Sequence, residues 1–242
     1  MARTLVMGIV NVTPDSFSDG GLYFKPEEAM RRARNLIDEG ADIIDLGGES
    51  TRPDAVPVGW EEEWSRVGPV LAELAGGTVP VSVDTYHPET AARAIAAGAG
   101  LINCVKRESA RAMLALQRAN PRVELVLPLR PGETPQSAWG EDADLSRIYL
   151  DPMIGFDTTR EEDLALLQSV GELARLGRVL VGASRKRIVK KLTGGKVRGK
   201  NVGGNLAVAI WGAMNGAAAV RVHDVGETAQ ALRVIAALAG KD

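Results

Sequence analysis

Short apolar runs rich in β-branched residues alternate with longer amphipathic segments along the whole chain. Apolar runs without polar alternation favour parallel strands that are covered on both faces. We predict eight strands: Leu5–Val10, Asp42–Leu46, Val79–Val83, Leu101–Cys104, Val123–Leu129, Ile148–Leu150, Val179–Val181 and Ala218–Val222. The amphipathic segments predict seven helices: Pro26–Glu39, Trp60–Ala75, Glu89–Ala97, Ser109–Arg118, Glu161–Leu176, Asn205–Asn215 and Glu227–Leu238.

Strand and helix alternate eight times within a length that one domain of this type can have. The repetition predicts an α/β fold, a closed (β/α)₈ TIM barrel, as a single domain over residues 1–242. Gly40, Gly98 and Gly177 follow predicted helix ends, where glycine is the usual terminating residue. The alternative is a doubly wound open sheet, which shares the alternation.

Two connections depart from the pattern. Residues 130–147 carry two glycines and two prolines, so we expect a loop with at most one turn of helix. The helix between strands five and six would then be shortened or missing, leaving that flank of the barrel bare. Lys190–Gly204 is rich in glycine and lysine and predicts a mobile surface loop without regular structure.

Polar residues cluster where the predicted strands end, which is where barrels of this type carry their catalytic groups. The cationic candidates suit phosphate oxygens, and we expect them on one arc of the mouth; they are Arg52, Lys186, Arg221 and His223. Asn11 offers an oxygen for a magnesium ion on a diphosphate. Asp84, Asn103 and Asp151 form the expected opposite arc, suited to the donor and acceptor edge of a polar heterocycle.

Each candidate also has a simpler interpretation. Asp84 and Asp151 could serve only as caps of the following turns, and His223 could be a solvated loop residue. We expect Cys104 to be a small core residue rather than a nucleophile, and His87 to lie at the surface. No zinc-type Cys/His cluster, dinucleotide-binding glycine motif or P-loop is present in the sequence.

Composition mainly excludes classes of function. The net charge of −2 and the scattered basic residues give no footprint for nucleic acid. One cysteine excludes an internal disulfide framework and fits a reducing compartment. The first residues do not form a signal peptide, and no apolar stretch is long enough to cross a bilayer, so we expect a cytoplasmic protein.

Seven segments, in order, resemble the motifs of dihydropteroate synthases: MGIVNVTPDSFSDGG, GADIIDLGGESTRP, VPVSVDT, the IN of LINC, LDPMIGF, VGASRK and AVRVHDV. The resemblance runs from Met7 to Val225. It implies a barrel that condenses 6-hydroxymethyl-7,8-dihydropterin diphosphate with 4-aminobenzoate, yielding 7,8-dihydropteroate and pyrophosphate in folate biosynthesis. It also implies a Mg²⁺ cofactor and a homodimer formed through helices near the end of the chain.

The resemblance assigns roles to individual positions. The pterin ring would be held by Asp84, Asn103, Asp151 and Lys186, with Ser184 at the same strand end as Lys186. The diphosphate would be held by Asn11 through magnesium and by Arg52, Arg221 and His223. The aminobenzoate side would be shaped by Phe17, Thr51, Pro53 and Phe156.

The sequence departs from the family pattern at strands four to six. Cys104 stands where an Asp is usual, and LVLPLRPGETP replaces a His-Met pair with its Gly-x-Pro turn. Met153 and Asp157 each stand where a glycine is usual. Three hypotheses remain: an active synthase, a catalytically silent pterin-diphosphate-binding paralogue or regulatory subunit, and another barrel transferase that acts on a related pterin.

Overall fold

Eight parallel strands close into a barrel in chain order, with β1 paired to both β2 and β8. The computed structural model describes residues 3–13, 26–49, 56–130, 132–141, 143–194 and 201–240. The strands are β1 Leu5–Asn11, β2 Ile43–Gly47, β3 Val81–Asp84, β4 Leu101–Asn103, β5 Glu124–Pro128, β6 Ile148–Asp151, β7 Arg178–Val181 and β8 Ala219–Val222. The predicted TIM barrel is therefore confirmed, and each predicted strand lies within two residues of an observed one.

Helices lie between the strands and pack on the outside of the barrel. They are α1 Pro26–Asp38, α2 Trp60–Leu74, α3 Pro88–Ala96, α4 Ala110–Ala119, α5 Pro135–Trp139, α6 Arg160–Gln168, α7 Val170–Leu173, α8 Arg187–Leu192, α9 Val202–Met214 and α10 Val225–Leu238. Among the described residues, two short 3₁₀ turns, Arg107–Ser109 and Leu145–Arg147, precede α4 and β6. The single helix predicted over Glu161–Leu176 is divided at Ser169 into α6 and α7. None of the described helices is both long and apolar enough to span a membrane.

The prediction of an irregular Lys190–Gly204 loop is wrong at both ends. Helix α8 continues to Leu192, and α9 begins at Val202 and includes Gly203 and Gly204. A Cβ on Gly204 would lie 2.6 Å from Thr193 Cγ2 and 2.8 Å from Val189 Cγ1, so this glycine lets α9 approach α8. Glycine here serves helix packing, which composition alone does not distinguish from loop formation.

The described part of the connection between β5 and β6 contains only the five-residue helix α5 and a 3₁₀ turn, which confirms the shortened helix. Thr134 and Ser137 form a reciprocal capping box at the start of α5. The flank is not bare, however, because Ala138 and Trp139 pack against the core and β5 remains fully covered from Leu125 to Leu127. A short helix with one large aromatic residue therefore covers the area that a longer helix would.

The barrel interior is filled in layers because side chains two residues apart on a strand face the same side. The lower apolar layer consists of Met7, Ile43, Leu101, Val126, Tyr149, Leu180 and Ala219. A second, larger apolar cluster fills the space between the sheet and the helices. Two residues beyond the lower layer, toward the carboxyl ends of the strands, the inward positions become polar. These polar positions form the candidate site.

Candidate active site

Inward-facing polar side chains occupy the carboxyl ends of the strands. Asp45, Asn103, Asp151 and Arg221 each follow a residue of the lower apolar layer by two positions. Asp84 ends β3 in the same way, and its backbone pairs with Gly47 on one side and Asn103 on the other. Strand periodicity thus delivers these groups from separate strands to one mouth.

Arg221 is the centre of this layer. Its Nε donates to Asp45 Oδ2 and its Nη2 donates to Asp84 Oδ2, both at 2.6 Å. Asn103 Nδ2 donates to the same Asp45 oxygen at 3.2 Å. The predicted division into a cationic arc and an acidic arc is therefore wrong for Arg221, which lies against the acids. Its Nη1 makes no hydrogen bond to the described residues and can still donate to a ligand.

Burial controls the charge of these groups. Burial raises the pKa of Asp84 to about 7, although the Arg221 guanidinium opposes this shift, and repulsion by Asp45 raises it further. Burial alone would lower the pKa of Arg221, but the carboxylates of Asp45 and Asp84 outweigh burial and raise it, so the guanidinium remains charged. One guanidinium therefore bonds both carboxyl groups, and the pKa of Asp84 lies near 7.

Lys186 enters the mouth from the loop after β7. Its Nζ donates to the carbonyl of Ile154 at 2.5 Å and lies 3.9 Å from the ring centroid of Phe156. Gly155, at a φ of 78°, makes room for it, since a Cβ there would lie 2.8 Å from Lys186 Cδ. Burial lowers the pKa of Lys186 to about 8, although Asp151 raises it. Lys186 therefore faces Asp151, and the prediction that these two residues lie on opposite arcs is wrong.

Asp151 ends β6 and begins the turn that carries Ile154. Its Oδ1 accepts a hydrogen bond from the Met153 amide at 2.7 Å, so it does cap the turn. It is also buried and faces Lys186, and burial raises its pKa against the opposing effect of that ammonium. The capping role and the site role therefore coexist in one residue. The simpler interpretation of Asp84 as a cap of the next helix is wrong, because His87 occupies the N-cap position.

Ser184 and His223 meet at the ends of β7 and β8. Ser184 Oγ and His223 Nδ1 are 3.1 Å apart, and the His223 amide donates to the same oxygen at 3.3 Å. Burial, followed by the nearby Arg185 and Arg221, lowers the pKa of His223 to about 4. His223 is therefore neutral near pH 7, and counting it among the cations was wrong. Its role at the site is hydrogen bonding.

Several buried polar atoms at this mouth lack hydrogen-bond partners within the described part of the chain. They include Asp45 Oδ1 and Asn103 Oδ1. A buried polar atom without a partner is destabilising, so such atoms favour a ligand that supplies the missing donors. The set is rich in acceptors, which fits the ring N–H and amino groups of a polar heterocycle.

Asn11 is the last residue of β1, and its side chain lies beside Gly47 of β2. Within the described residues no group of three or more His, Cys, Asp or Glu could hold a metal ion. One amide oxygen does fit the way magnesium is held, with phosphate oxygens and water completing the shell. Asn11 thus suits a metal carried by a diphosphate. Four predicted site residues, Phe17, Thr51, Arg52 and Pro53, lie outside the described residues.

Sequence reasoning missed Asp45. The residue has no exposure to solvent and binds both Arg221 and Asn103. A signal was present, because a charged residue in the middle of the apolar run Ile43–Leu46 has to be paired if that strand is buried. Cys104 is a buried core residue as predicted. The prediction for His87 is wrong, since it is half-buried with Nε2 3.6 Å from Glu49 Oε2.

Comparisons with known proteins agree with this geometry. The family model of pterin binding enzymes matches residues 7–127 and 136–223. The dihydropteroate synthase of Neisseria meningitidis serogroup B is 40% identical over 96% of this chain and 92% of its own. That of Bacillus subtilis is 38% identical over 99% of this chain and 90% of its own.

Solved structures give the same result. Xanthomonas albilineans dihydropteroate synthase with 4-aminobenzoic acid superposes with a TM-score of 0.88 at 41% identity, covering 99% of this chain and 95% of its own. The same enzyme in complex with 7,8-dihydropteroate gives a TM-score of 0.81 at 37% identity, covering 98% of this chain and 94% of its own. The similarity therefore extends over the whole barrel and is not limited to short motifs.

Proposed function

The chain belongs to the dihydropteroate synthases among the pterin-binding enzymes, and we propose that it condenses 6-hydroxymethyl-7,8-dihydropterin diphosphate with 4-aminobenzoate. The amine nitrogen forms a bond to the pterin methylene carbon while the bond from that carbon to the diphosphate oxygen breaks. The nitrogen loses one proton, and the products are 7,8-dihydropteroate and pyrophosphate. The observation that carries the proposal is one mouth shared by Asp84, Asn103, Asp151, Lys186 and Arg221.

On the pterin side, buried acceptors bind the ring and stabilise the reaction. Asp151 is a buried and Asp84 a partly buried carboxyl group, and positive charge that develops on the methylene carbon is conjugated into the ring they hold. Asn103 Oδ1 is an acceptor without a partner among the described residues. Lys186, held between the Ile154 carbonyl and the Phe156 ring, completes the pterin side. No nucleophilic side chain is needed, because the amine attacks directly.

On the diphosphate side, hydrogen-bond donors and a metal neutralise the leaving group. Arg221 offers Nη1, and the neutral His223 offers a ring nitrogen near Ser184. Asn11 would hold magnesium, and the bound ion would lower the charge on the departing pyrophosphate. Arg52 would add a further cation, while Phe17, Thr51, Pro53 and Phe156 would shape the aminobenzoate side. These last assignments follow from the family resemblance.

Pyrophosphate release tests the proposal. We expect the purified protein with Mg²⁺ and pterin diphosphate to release pyrophosphate only when 4-aminobenzoate is added. Lys186→Ala is expected to lower kcat/KM by about 100-fold or more, because it removes a preorganised charge from the site. Lys190→Ala is the matched control, since Lys190 is an exposed lysine on the next helix. Failure to release pyrophosphate at high concentrations of both substrates would contradict the proposal.

One observation favours the alternative of a silent binding paralogue. Met153 and Asp157, which stand where the family usually has glycine, have φ of 63° and 52°, a conformation that ordinary side chains rarely adopt. The strained segment borders the pterin side. A silent paralogue would show saturable binding of pterin diphosphate in calorimetry but no turnover. Measuring both binding and turnover with this substrate therefore distinguishes the two functions.

Two further properties are proposed with the function. A homodimer is supported by apolar side chains exposed on the last two helices, Trp211 and Met214 of α9 and Val234 and Leu238 of α10. Sedimentation of the wild-type protein beside Met214→Glu tests it, and a monomeric wild type contradicts it. The use of pterin and folate chemistry, together with a single buried thiol, favours a cytoplasmic location.

A further inference from the structure

The turn after β6 is held from outside the site by one buried acid. Asp163, in the first turn of α6, has no solvent exposure. Its Oδ1 accepts from the Gly155 amide at 2.6 Å and from Thr158 Oγ1 at 2.5 Å. A single carboxylate oxygen thus ties the middle and the end of the turn to the helix.

The same turn supports Lys186. The carbonyl of Ile154, which belongs to the peptide unit whose N–H is that of Gly155, accepts from Lys186 Nζ at 2.5 Å. The peptide between Ile154 and Gly155 therefore receives a bond from Lys186 on its oxygen and donates one to Asp163 from its nitrogen. Because this unit is planar, its orientation at one end fixes its orientation at the other. Asp163 and Lys186 are coupled through one peptide group.

Capping of this turn does not by itself require that the side chain of Asp163 be charged. Its Oδ2 is buried without a hydrogen-bond partner among the described residues, although a neutral side chain could supply the single acceptor that is used. Burial of a carboxylate is destabilising unless a nearby positive charge offsets the cost of removing it from water. Burial lowers the pKa of Lys186, and Asp163 opposes that shift together with Asp151 and Asp84, whereas Arg221 adds to it. The acid is thus placed to favour the ammonium form.

We propose that Asp163 is a positioning residue for Lys186, fixing the Ile154 carbonyl through the Gly155 amide and the Thr158 hydroxyl and supporting the ammonium by its charge. Asp163 touches neither substrate and acts only through Lys186. The kinetic test of this inference rests on the proposed synthase function. A second test, the titration of Lys186, needs no turnover.

Kinetics of Asp163→Ala and Asp163→Asn test the geometric part. We expect Asp163→Ala to lower kcat/KM for pterin diphosphate by about 10-fold or more, with the KM for 4-aminobenzoate changed far less. Asp163→Asn keeps an oxygen acceptor and is expected to recover most of that loss. Glu161→Ala removes an exposed acid from the same helical turn and serves as the matched control with unchanged kinetics. An Asp163→Ala variant that remains folded with wild-type constants would overturn the proposal.

The electrostatic part is tested by titrating Lys186 directly. In protein labelled with ¹³C-lysine, the Lys186 signal is assigned by its loss in Lys186→Arg and followed as pH rises. Removing a negative neighbour disfavours the ammonium, so Asp163→Asn should shift the midpoint by about half a pH unit or more to lower pH. An unshifted midpoint contradicts the charge role even if Asp163→Ala fails to fold. A wild-type protein without turnover contradicts the synthase function but leaves this titration decisive.

Discussion

Replacing Arg221 with methionine removes the guanidinium that bonds the buried Asp45 and the partly buried Asp84. The guanidinium bonds Asp45 and Asp84 at 2.6 Å each, and Asp45 has no exposure to solvent. Methionine retains an apolar stem of similar length, so the main loss is charge and hydrogen bonding. Removing one partner of a buried ion pair costs about 3–5 kcal/mol. We expect Arg221→Met to lower the free energy of unfolding by about that amount near pH 7.5.

The loss should depend on pH in a defined direction. Without Arg221, burial and the neighbouring carboxylates raise the pKa of Asp84 in the folded protein further above the value of about 7 that it has in the wild type. A carboxyl group with a raised folded pKa is stabilising below the unfolded pKa, and that contribution is lost as pH rises through the folded pKa. Because Asp84 loses its proton near pH 7 in the wild type and at higher pH in the variant, the deficit should be smaller near pH 6 than near pH 7.5, by up to about 1.4 kcal/mol per pH unit for each proton bound.

Urea unfolding followed by tryptophan fluorescence, near pH 6 and near pH 7.5, measures both effects. Arg160→Met is the control, because Arg160 and its partner Glu161 have side chains 46% and 75% exposed, and such pairs contribute under about 1 kcal/mol. Adding Asp84→Asn to Arg221→Met should recover part of the loss, since one stranded charge disappears. Equal destabilisation by Arg221→Met and Arg160→Met, or a deficit independent of pH, would refute the reasoning.

Three more predictions follow from local geometry. Met153→Gly relieves a φ of 63° and should raise Tm, with a net gain of about 0.5–1 kcal/mol after the entropy of glycine; a lowered Tm contradicts the strain. Cys104 should not react with a thiol reagent until the protein is unfolded, because burial raises the pKa of its thiol to about 12. Rapid labelling of the native protein would contradict this prediction. In pH profiles, kcat/KM should fall above about pH 8 as Lys186 loses its proton, and Lys186→Arg should abolish that limb or the assignment is wrong.

Local patterns determined most of the elements. Apolar runs predicted all eight strands, and proline and glycine in residues 130–147 predicted the shortened α5. Both depend on side-chain types that act within a few residues of each other, and such effects can be read from the order of residues. The prediction of an irregular segment at Lys190–Gly204 was wrong at both ends, because packing between helices determines these ends and neighbouring residues do not. Gly204 serves a contact with Val189 and Thr193 that forms only when α8 and α9 pack.

The sequence by itself determined that Asp84, Asn103, Asp151 and Arg221 stand at strand ends, because strand periodicity assigns a face to each residue. Only the tertiary structure decided which of them bind each other. Arg221 reaches Asp84 across 137 positions of sequence, and it meets Asp45 because closure of the barrel brings β8 near β2. Periodicity fixes the direction of a side chain, whereas its partner and its protonation state depend on distances that exist only after the strands have closed.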